Sequence, residues 1–262
     1  MHHLSNRAGW LLSTAVLAGC AATPVPQRTL EIGNSPWALQ STPTVGQLSL
    51  QPSRWGHLRF PGKTPTRFSY VRQDGRDAIS VLAASSASML RRKLRVEPAE
   101  LGTLKFSWKV PQLIAGADMT LRESDDCPVR IVLAFEGDRS RFSARDAMLS
   151  ELLRTLTGEE MPYATLMYVW SNRRPAGTLI ASPRTDRIRT LVVESGPKRL
   201  DEWLDYERDI RADYERVFGE PPGALVAIGL MTDSDNTRST ARAWYGPVRL
   251  GSSTRAASSP GM

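Results

Sequence analysis

Short runs in which apolar and polar residues alternate, or in which every residue is apolar, recur from about residue 55 to residue 250, with turn residues between them. Alternation sends successive side chains to opposite faces of a strand, so each run reads as a β-strand with at least one buried face. Leu104, Phe106, Trp108 and Val110 alternate with Lys105, Ser107 and Lys109. Val129, Ile131, Leu133 and Phe135 repeat the pattern, with Arg130 and Glu136 on the opposite face. Further strands are predicted over 66–71, 78–84, 164–170, 178–181, 188–193, 224–231 and 241–250. Gln73, Asp74, Gly75 and Arg76 separate the first two of these, and the Asp-Gly pair marks a tight hairpin. Many short strands at this spacing predict an all-β dominated fold, an antiparallel β-sandwich.

Two segments depart from the strand period. Over 143–156, Met148, Leu149, Leu152, Leu153 and Leu156 recur at helical spacing, Ser143 offers an N-cap and Gly158 a stop. Over 201–218, Trp203, Tyr206, Ile210, Tyr214, Val217 and Phe218 form one helical stripe that Gly219, Pro221 and Pro222 terminate. The front half of that segment is equally open to a strand, because Trp203 and Tyr206 suit either state. The sandwich therefore carries one or two inserted helices.

The start of the chain carries an address rather than a fold. The apolar segment from Trp10 to Leu17 follows Arg7 and is far shorter than the roughly 20 residues a membrane-spanning helix needs. It ends in Leu17, Ala18, Gly19 and Cys20, which resembles the lipobox of bacterial lipoproteins. That resemblance implies removal of residues 1–19 and a diacylglycerol on the Cys20 sulfur, and two or more acyl chains make a lasting anchor. Ala21 stands where an aspartate would resemble an inner-membrane retention signal, which favours the outer membrane. The expected organisation is a signal peptide over 1–19, lipidated Cys20 with a flexible tether over 20–47, a sandwich domain over 48–250 and a disordered tail over 251–262. Pro24, Pro26, Pro36 and Pro43 motivate the tether. The expected location is the periplasmic side of the cell envelope, with the membrane as partner through the lipid on Cys20.

A chain of 262 residues with 41% hydrophobic content can build one sizeable core. Its formal charge of +7 falls by one when Arg7 leaves with the signal peptide, and the remaining excess favours acidic surfaces such as anionic headgroups. The arginines are interspersed with acids and form no basic block, so no nucleic-acid partner is expected. With Cys20 acylated, Cys127 has no partner within the chain. Asp125 and Asp126 beside it disfavour a thiolate, so Cys127 reads as a small buried apolar residue rather than a nucleophile.

Little catalytic equipment remains. His57 is the only histidine beyond the leader, which rules out a multi-histidine metal centre, and no Gly-x-Ser-x-Gly elbow accompanies it. Gly62, Lys63 and Thr64 imitate the end of a phosphate-binding loop, but Gly56 is one position off and Pro65 blocks the helix that should follow. No catalytic residue is assigned on this basis. Asp125 and Asp126 precede one strand and Glu136 closes it, so an acid placed opposite could complete a glycosidase-type pair; the simpler role for the two aspartates is pairing with Arg122 or Arg130. Asp233, Asp235 and Asn236 place three oxygen-bearing side chains in one tight loop that would suit calcium. The EF-hand pattern is not met, since Arg238 and Trp244 occupy its glycine and glutamate positions, and an Asx-rich turn is the simpler alternative. Tyr168, Trp170, Trp244 and Tyr245 offer rings on which a sugar could stack or a core could be built. Strand alternation predicts that one of Trp244 and Tyr245 is buried and the other open to a ligand.

Residues 213–222, with Asp213, Tyr214, Phe218, Gly219, Pro221 and Pro222, together with Met231 to Thr237, resemble a family of uncharacterised exported bacterial proteins, domain of unknown function 3047. Trp108, Asp125 and Asp126 ahead of Pro128 and Arg130, then Tyr168 to Trp170 and Ala243 to Gly246, agree with it. Cys127 departs from the pattern, standing where an aromatic or aliphatic residue is expected. The resemblance implies a jelly-roll-like sandwich and no known activity. The expected function is therefore an envelope-anchored, non-catalytic binding or structural module for a glycan or an envelope protein. Its candidate ligand site draws on Asp125, Asp126, Arg130, Glu136, Trp170, Trp244 and Tyr245. A polysaccharide hydrolase using Asp125, Asp126 or Glu136 is the alternative, and a subunit of an envelope complex would show an exposed apolar patch.

Overall fold

In a computed structural model, which describes residues 32–41 and 54–252, two β-sheets lie face to face with the large apolar side chains between them. After α1 (Pro36–Gln40), the strands are β1 (Gly56–Arg59), β2 (Arg67–Gln73), β3 (Arg76–Ala84), β4 (Ser88–Val96), β5 (Leu101–Lys109) and β6 (Cys127–Phe135). Helix α2 (Ala144–Thr157) leads to β7 (Ala164–Ser171), β8 (Leu179–Ala181), β9 (Ile188–Ser195) and β10 (Leu204–Asp209). Helix α3 (Ile210–Phe218) precedes β11 (Leu225–Asp233), β12 (Thr240–Tyr245) and β13 (Arg249–Ser252). The seven-stranded sheet runs β1-β4-β11-β6-β7-β9-β8, and the six-stranded sheet runs β10-β5-β12-β3-β2 with β13 paired to β5. Every pairing is antiparallel except that of β7 with β9. This is the expected all-β dominated, jelly-roll-like sandwich, with α2 and α3 as its inserted helices.

The predicted alternation places the core. Leu104, Phe106 and Trp108 of β5 face Val129, Ile131 and Leu133 of β6 and Leu166, Tyr168 and Trp170 of β7, all buried. The Phe106 and Tyr168 rings stack across the two sheets at 5.7 Å and 9°. Tyr245 of β12 also crosses the gap: its hydroxyl donates to the Met231 carbonyl at 2.6 Å and accepts from the Arg130 backbone N–H at 3.1 Å. A buried phenol is favourable only when such partners are present.

Several boundaries differ from expectation. Strand β4 went unpredicted because Arg91, Arg92, Lys93 and Arg95 crowd its apolar positions. Arg92 points inward and is 9% exposed, its guanidinium donating to the Ser41 carbonyl at 2.8 Å. The run over 241–250 is two strands, β12 and β13, divided at Gly246 and Pro247. The segment over 201–218 divides into β10 and α3, the strand alternative for its front half. The expected tether is in part not a tether, because α1 lies within it and Trp37 is fully buried, its ring 4.9 Å from that of Trp55. Ser35 caps α1 by accepting from the Ala38 N–H, and Pro36 opens it without losing a hydrogen bond. Residues 251–252, expected to begin the tail, end β13. The signal peptide, Cys20 and residues 253–262 lie outside the described residues.

Helix α2 has the predicted caps: the Ser143 hydroxyl accepts from the Asp146 N–H, and Gly158 ends the helix at φ 74°, in the left-handed region that favours glycine. Its packing is inverted for a surface helix. The buried side chains are Asp146 and Ser150, while Met148, Leu152 and Leu156 are 70%, 53% and 57% exposed. No helix among the described residues is long and apolar enough to cross a membrane.

Candidate functional site

Two places gather functional groups: the outer face of the six-stranded sheet and one end of the sandwich. On β5 and β10 the apolar positions Leu104, Phe106, Leu204 and Tyr206 turn inward, so Lys105, Asp205 and Glu207 turn out. Trp244 of β12 lies on this outer face opposite Lys109, while its neighbour Tyr245 is buried, as the alternation predicts. Trp203, just before β10, shares the face.

These groups form one connected set. The Asp74 carboxylate, in the hairpin turn, accepts from the Trp203 indole N–H at 3.2 Å and from Lys109 at 2.9 Å. Lys109 stands 6.0 Å from the Trp244 ring centroid. Arg76 lies over the Trp203 ring at 5.2 Å and donates to both oxygens of Asp205 at 2.8 and 3.0 Å. The Lys109 hydrogen bond holds the Asp74 carboxyl below its ordinary range. Asp74 and Gly75, at φ 51° and 78°, give the tight turn that brings this acid over the sheet. Gly246 lets the chain cross close to Ser107 and Trp203: a Cβ there would come 2.0 Å from the Ser107 Oγ. Arg76, which covers the Trp203 ring, also lines a trough of about 560 Å³ together with Asp77, Lys105, Ser107, Asp205 and Arg249, among others.

The second gathering brings Asp125, Asp126, Arg130, Asp233, Asp235 and Asn236 together at one end of the sandwich. Arg130 donates to Asp233 through Nε at 3.0 Å and Nη2 at 3.1 Å, and its Nη2 also reaches the Asp125 carboxylate at 3.0 Å. Asp233 accepts from the Cys127 N–H as well. Asp126 binds the following loop, accepting from the Asn236 and Thr237 backbone N–H groups and the Thr237 hydroxyl. Lys63 pairs with Asp235, and the Asn236 amide donates to the Arg122 carbonyl at 2.6 Å. Burial pushes the Asp233 carboxyl up to about 6 against the pull of Arg130. Burial likewise pushes the Cys127 thiol up to about 12, so this cysteine is the inert, apolar residue expected from sequence. Carboxylate oxygens of Asp126, Asp233 and Asp235 lie within 4.8 Å of one another, close enough to share a cation. A cleft of about 260 Å³ adjoins them, lined by Asp118, Asp126, Asn172, Arg173 and Arg174 among others.

The remaining candidates are scattered. Glu136 pairs with Arg95 at the far end of β6, ten residues along from Asp126, which an extended strand stretches to roughly 30 Å. Paired glycosidase carboxyls sit about 5–10 Å apart, so these two cannot act on one bond. Trp170 is fully buried, its indole donating to the Gly196 carbonyl at 3.0 Å, and Tyr168 is fully buried with its hydroxyl on Asp213. Trp170, Tyr168 and Tyr245 therefore belong to the core and offer no ring face for stacking, a correction to their place among the ligand candidates. His57 bonds the Ser88 hydroxyl at 2.7 Å and meets the Phe68 ring edge-on, and its pKa is lowered by burial and by Arg59. Trp203 was missed as a site residue because a helical register places it with Tyr206. The alternation of Trp203, Asp205 and Glu207 against Leu204 and Tyr206 was the signal that separates them.

A family model described as "Protein of unknown function (DUF3047)" matches residues 53–249. No curated protein sequence matches the chain. Among solved structures, the chain is similar to the xyloglucanase domain of NopAA, a type three effector from Sinorhizobium fredii, in complex with cellobiose. That likeness has 9% identity and a TM-score of 0.33 over 78% of this chain and 99% of the other. It is also similar to TmCBM27, a carbohydrate-binding module studied for specific mannan recognition, at 11% identity and a TM-score of 0.26 over 77% and 98% of the two chains. Neither likeness, at such scores, bears on the ligand.

Proposed function

Because the chain belongs to the DUF3047 family, for which no activity is described, we propose from its own geometry that it is a non-catalytic module binding a glycan on the outer face of the six-stranded sheet. In this reading the lipid on Cys20 holds the module at the periplasmic side of the outer membrane. One observation carries the ligand assignment: Trp203 and Trp244 are both partly exposed on one sheet face, Asp74 and Lys109 link them, and Arg76, which lies over the Trp203 ring, also lines a trough of charged side chains. Sugar rings present apolar C–H faces and a rim of hydroxyls, and an indole face beside carboxylates and guanidinium groups answers both. A hydrolase is less well supported, since Asp126 and Glu136 lie too far apart and the acids around Arg130 are bound to Arg130, Lys63 and loop N–H groups.

Glycan-array screening of the full chain, followed by calorimetry on the best ligand, tests this. Trp203→Ala and Trp244→Ala should each weaken binding about tenfold, roughly 1.4 kcal/mol, with the circular-dichroism spectrum unchanged. Wild-type affinity in both variants would move the ligand elsewhere. Release of reducing sugar would instead favour the hydrolase.

Calcium over Asp126, Asp233 and Asp235 is a second proposal, supported by the close approach of their oxygens. Lys63 and Arg130 compete for the same carboxylates, so the ion would have to displace Lys63 from Asp235. Under this proposal millimolar calcium raises the melting temperature by several degrees and Asp235→Asn removes the rise. An unchanged melting temperature with no calorimetric heat leaves the loop as an Asx-rich turn.

A further inference from the structure

Helix α2 lies on the outer side of the seven-stranded sheet. Glu159, just past its end, takes Arg91 at 2.6 and 2.9 Å and Lys93 at 2.7 Å. Both are outward positions of β4, since Leu90, Arg92 and Leu94 are the buried ones. Near the start of the helix, Asp146 accepts from the Thr185 hydroxyl, and Arg145 donates to the Pro183 carbonyl, both in the β8–β9 connection. The polar side chains Asp146 and Ser150 thus hold the helix to the domain, and Met148, Leu152 and Leu156, spaced by one turn each, are left facing solvent.

We infer that this stripe docks on the lipid surface to which Cys20 tethers the chain. The inference rests on the lipid-anchor reading and adds an orientation to it. Three side chains exposed to this degree present on the order of 300 Å² of surface, well short of the roughly 800 Å² each partner contributes to a stable dimer. A second copy of the chain is therefore a poor occupant. A bilayer needs no such area, because a chain already tethered to it meets the surface at high effective concentration and a shallow contact suffices. Charge points the same way: Arg145 lies in the first turn of the helix, and the formal charge of +7, one less once Arg7 leaves with the leader, stays positive. Docked in this manner, the seven-stranded sheet faces the membrane. Trp203 and Trp244, on the opposite sheet, then face away from it, toward whatever glycan the envelope presents.

The test places a polarity-sensitive dye on Leu152→Cys or on Arg242→Cys, an exposed position of the opposite sheet, in the lipidated chain. Cys127 is buried and Cys20 acylated, so each introduced thiol is the one that reacts. On vesicles of phosphatidylethanolamine and phosphatidylglycerol, the dye at 152 shifts to the blue and is quenched by nitroxide-labelled acyl chains, and the dye at 242 does neither. Equal water exposure at both positions overturns the inference. So does a shift at 152 that arises without vesicles and grows with protein concentration, the mark of a second copy. Intact-mass measurement judges the anchor separately. If Cys20 carries no lipid, the same dye on the Cys20→Ser chain still decides whether α2 meets vesicles, with binding about 100-fold weaker than in a tethered chain.

Discussion

Arg130→Met should lower the folding free energy by about 3–5 kcal/mol, the cost of leaving buried charge uncompensated. The guanidinium is 5% exposed and makes two hydrogen bonds to Asp233 and one to the Asp125 carboxylate. Methionine fills similar volume, so the loss is electrostatic rather than a cavity. Urea denaturation measures it, and the melting temperature should fall by about 10 °C. Two features separate this cause from general damage. First, Asp233→Leu added to the variant should recover part of the loss, because it removes one stranded carboxylate. Second, stability should recover on acidification. Burial already pushes the Asp233 carboxyl up to about 6 in the native protein, and losing Arg130 raises it further. A folded-state value above the unfolded one means the folded state binds the proton more tightly, so the variant gains stability as pH falls from 8 toward 5. A loss below about 1 kcal/mol, flat with pH, would show that the cluster is hydrated and relaxed rather than dry.

Trp37→Ala should cost about 3–5 kcal/mol, the usual range for truncating a fully buried tryptophan. The ring is fully buried against Trp55, and the short helix that carries it is fastened at both ends. Ser35 caps its start, and at its other end Ser41 accepts Arg92 on its carbonyl and the Val248 N–H on its hydroxyl. A chain begun at residue 48 should lose at least as much stability as the substitution, because it removes the helix together with its ring. Comparing the three proteins by thermal and urea denaturation tests this. A chain begun at 48 that is as stable as the wild type would return residues 32–41 to the tether.

What the amino-acid order determined follows from period and from a few special residues. A period of two sorted Phe106 from Ser107 and Tyr245 from Trp244, because each strand residue points opposite to its neighbours whatever lies beyond. Asp74 with Gly75, Ser143 with Gly158, and Gly219 marked a hairpin and helix ends, because local backbone and hydrogen-bond requirements select those residue types. The acids around Arg130 were legible only as neighbours in two separate stretches. Their meeting depends on β11 lying beside β6, a pairing about a hundred residues apart in sequence. The face of Trp203 was legible in the alternation around it, but only the tertiary structure could decide that Trp170 is core, since β7 is buried on both faces and alternation there sorts nothing. It also decided that Arg92 points into the sandwich, where the Ser41 carbonyl receives it, and that Trp37 belongs to the core. Finally, it decided that Met148, Leu152 and Leu156 of α2 face outward. Period shows that a helix has an apolar side, but which side is covered depends on whether another element arrives to cover it, and here Asp146, Ser150 and Glu159 fasten the helix by its polar groups instead.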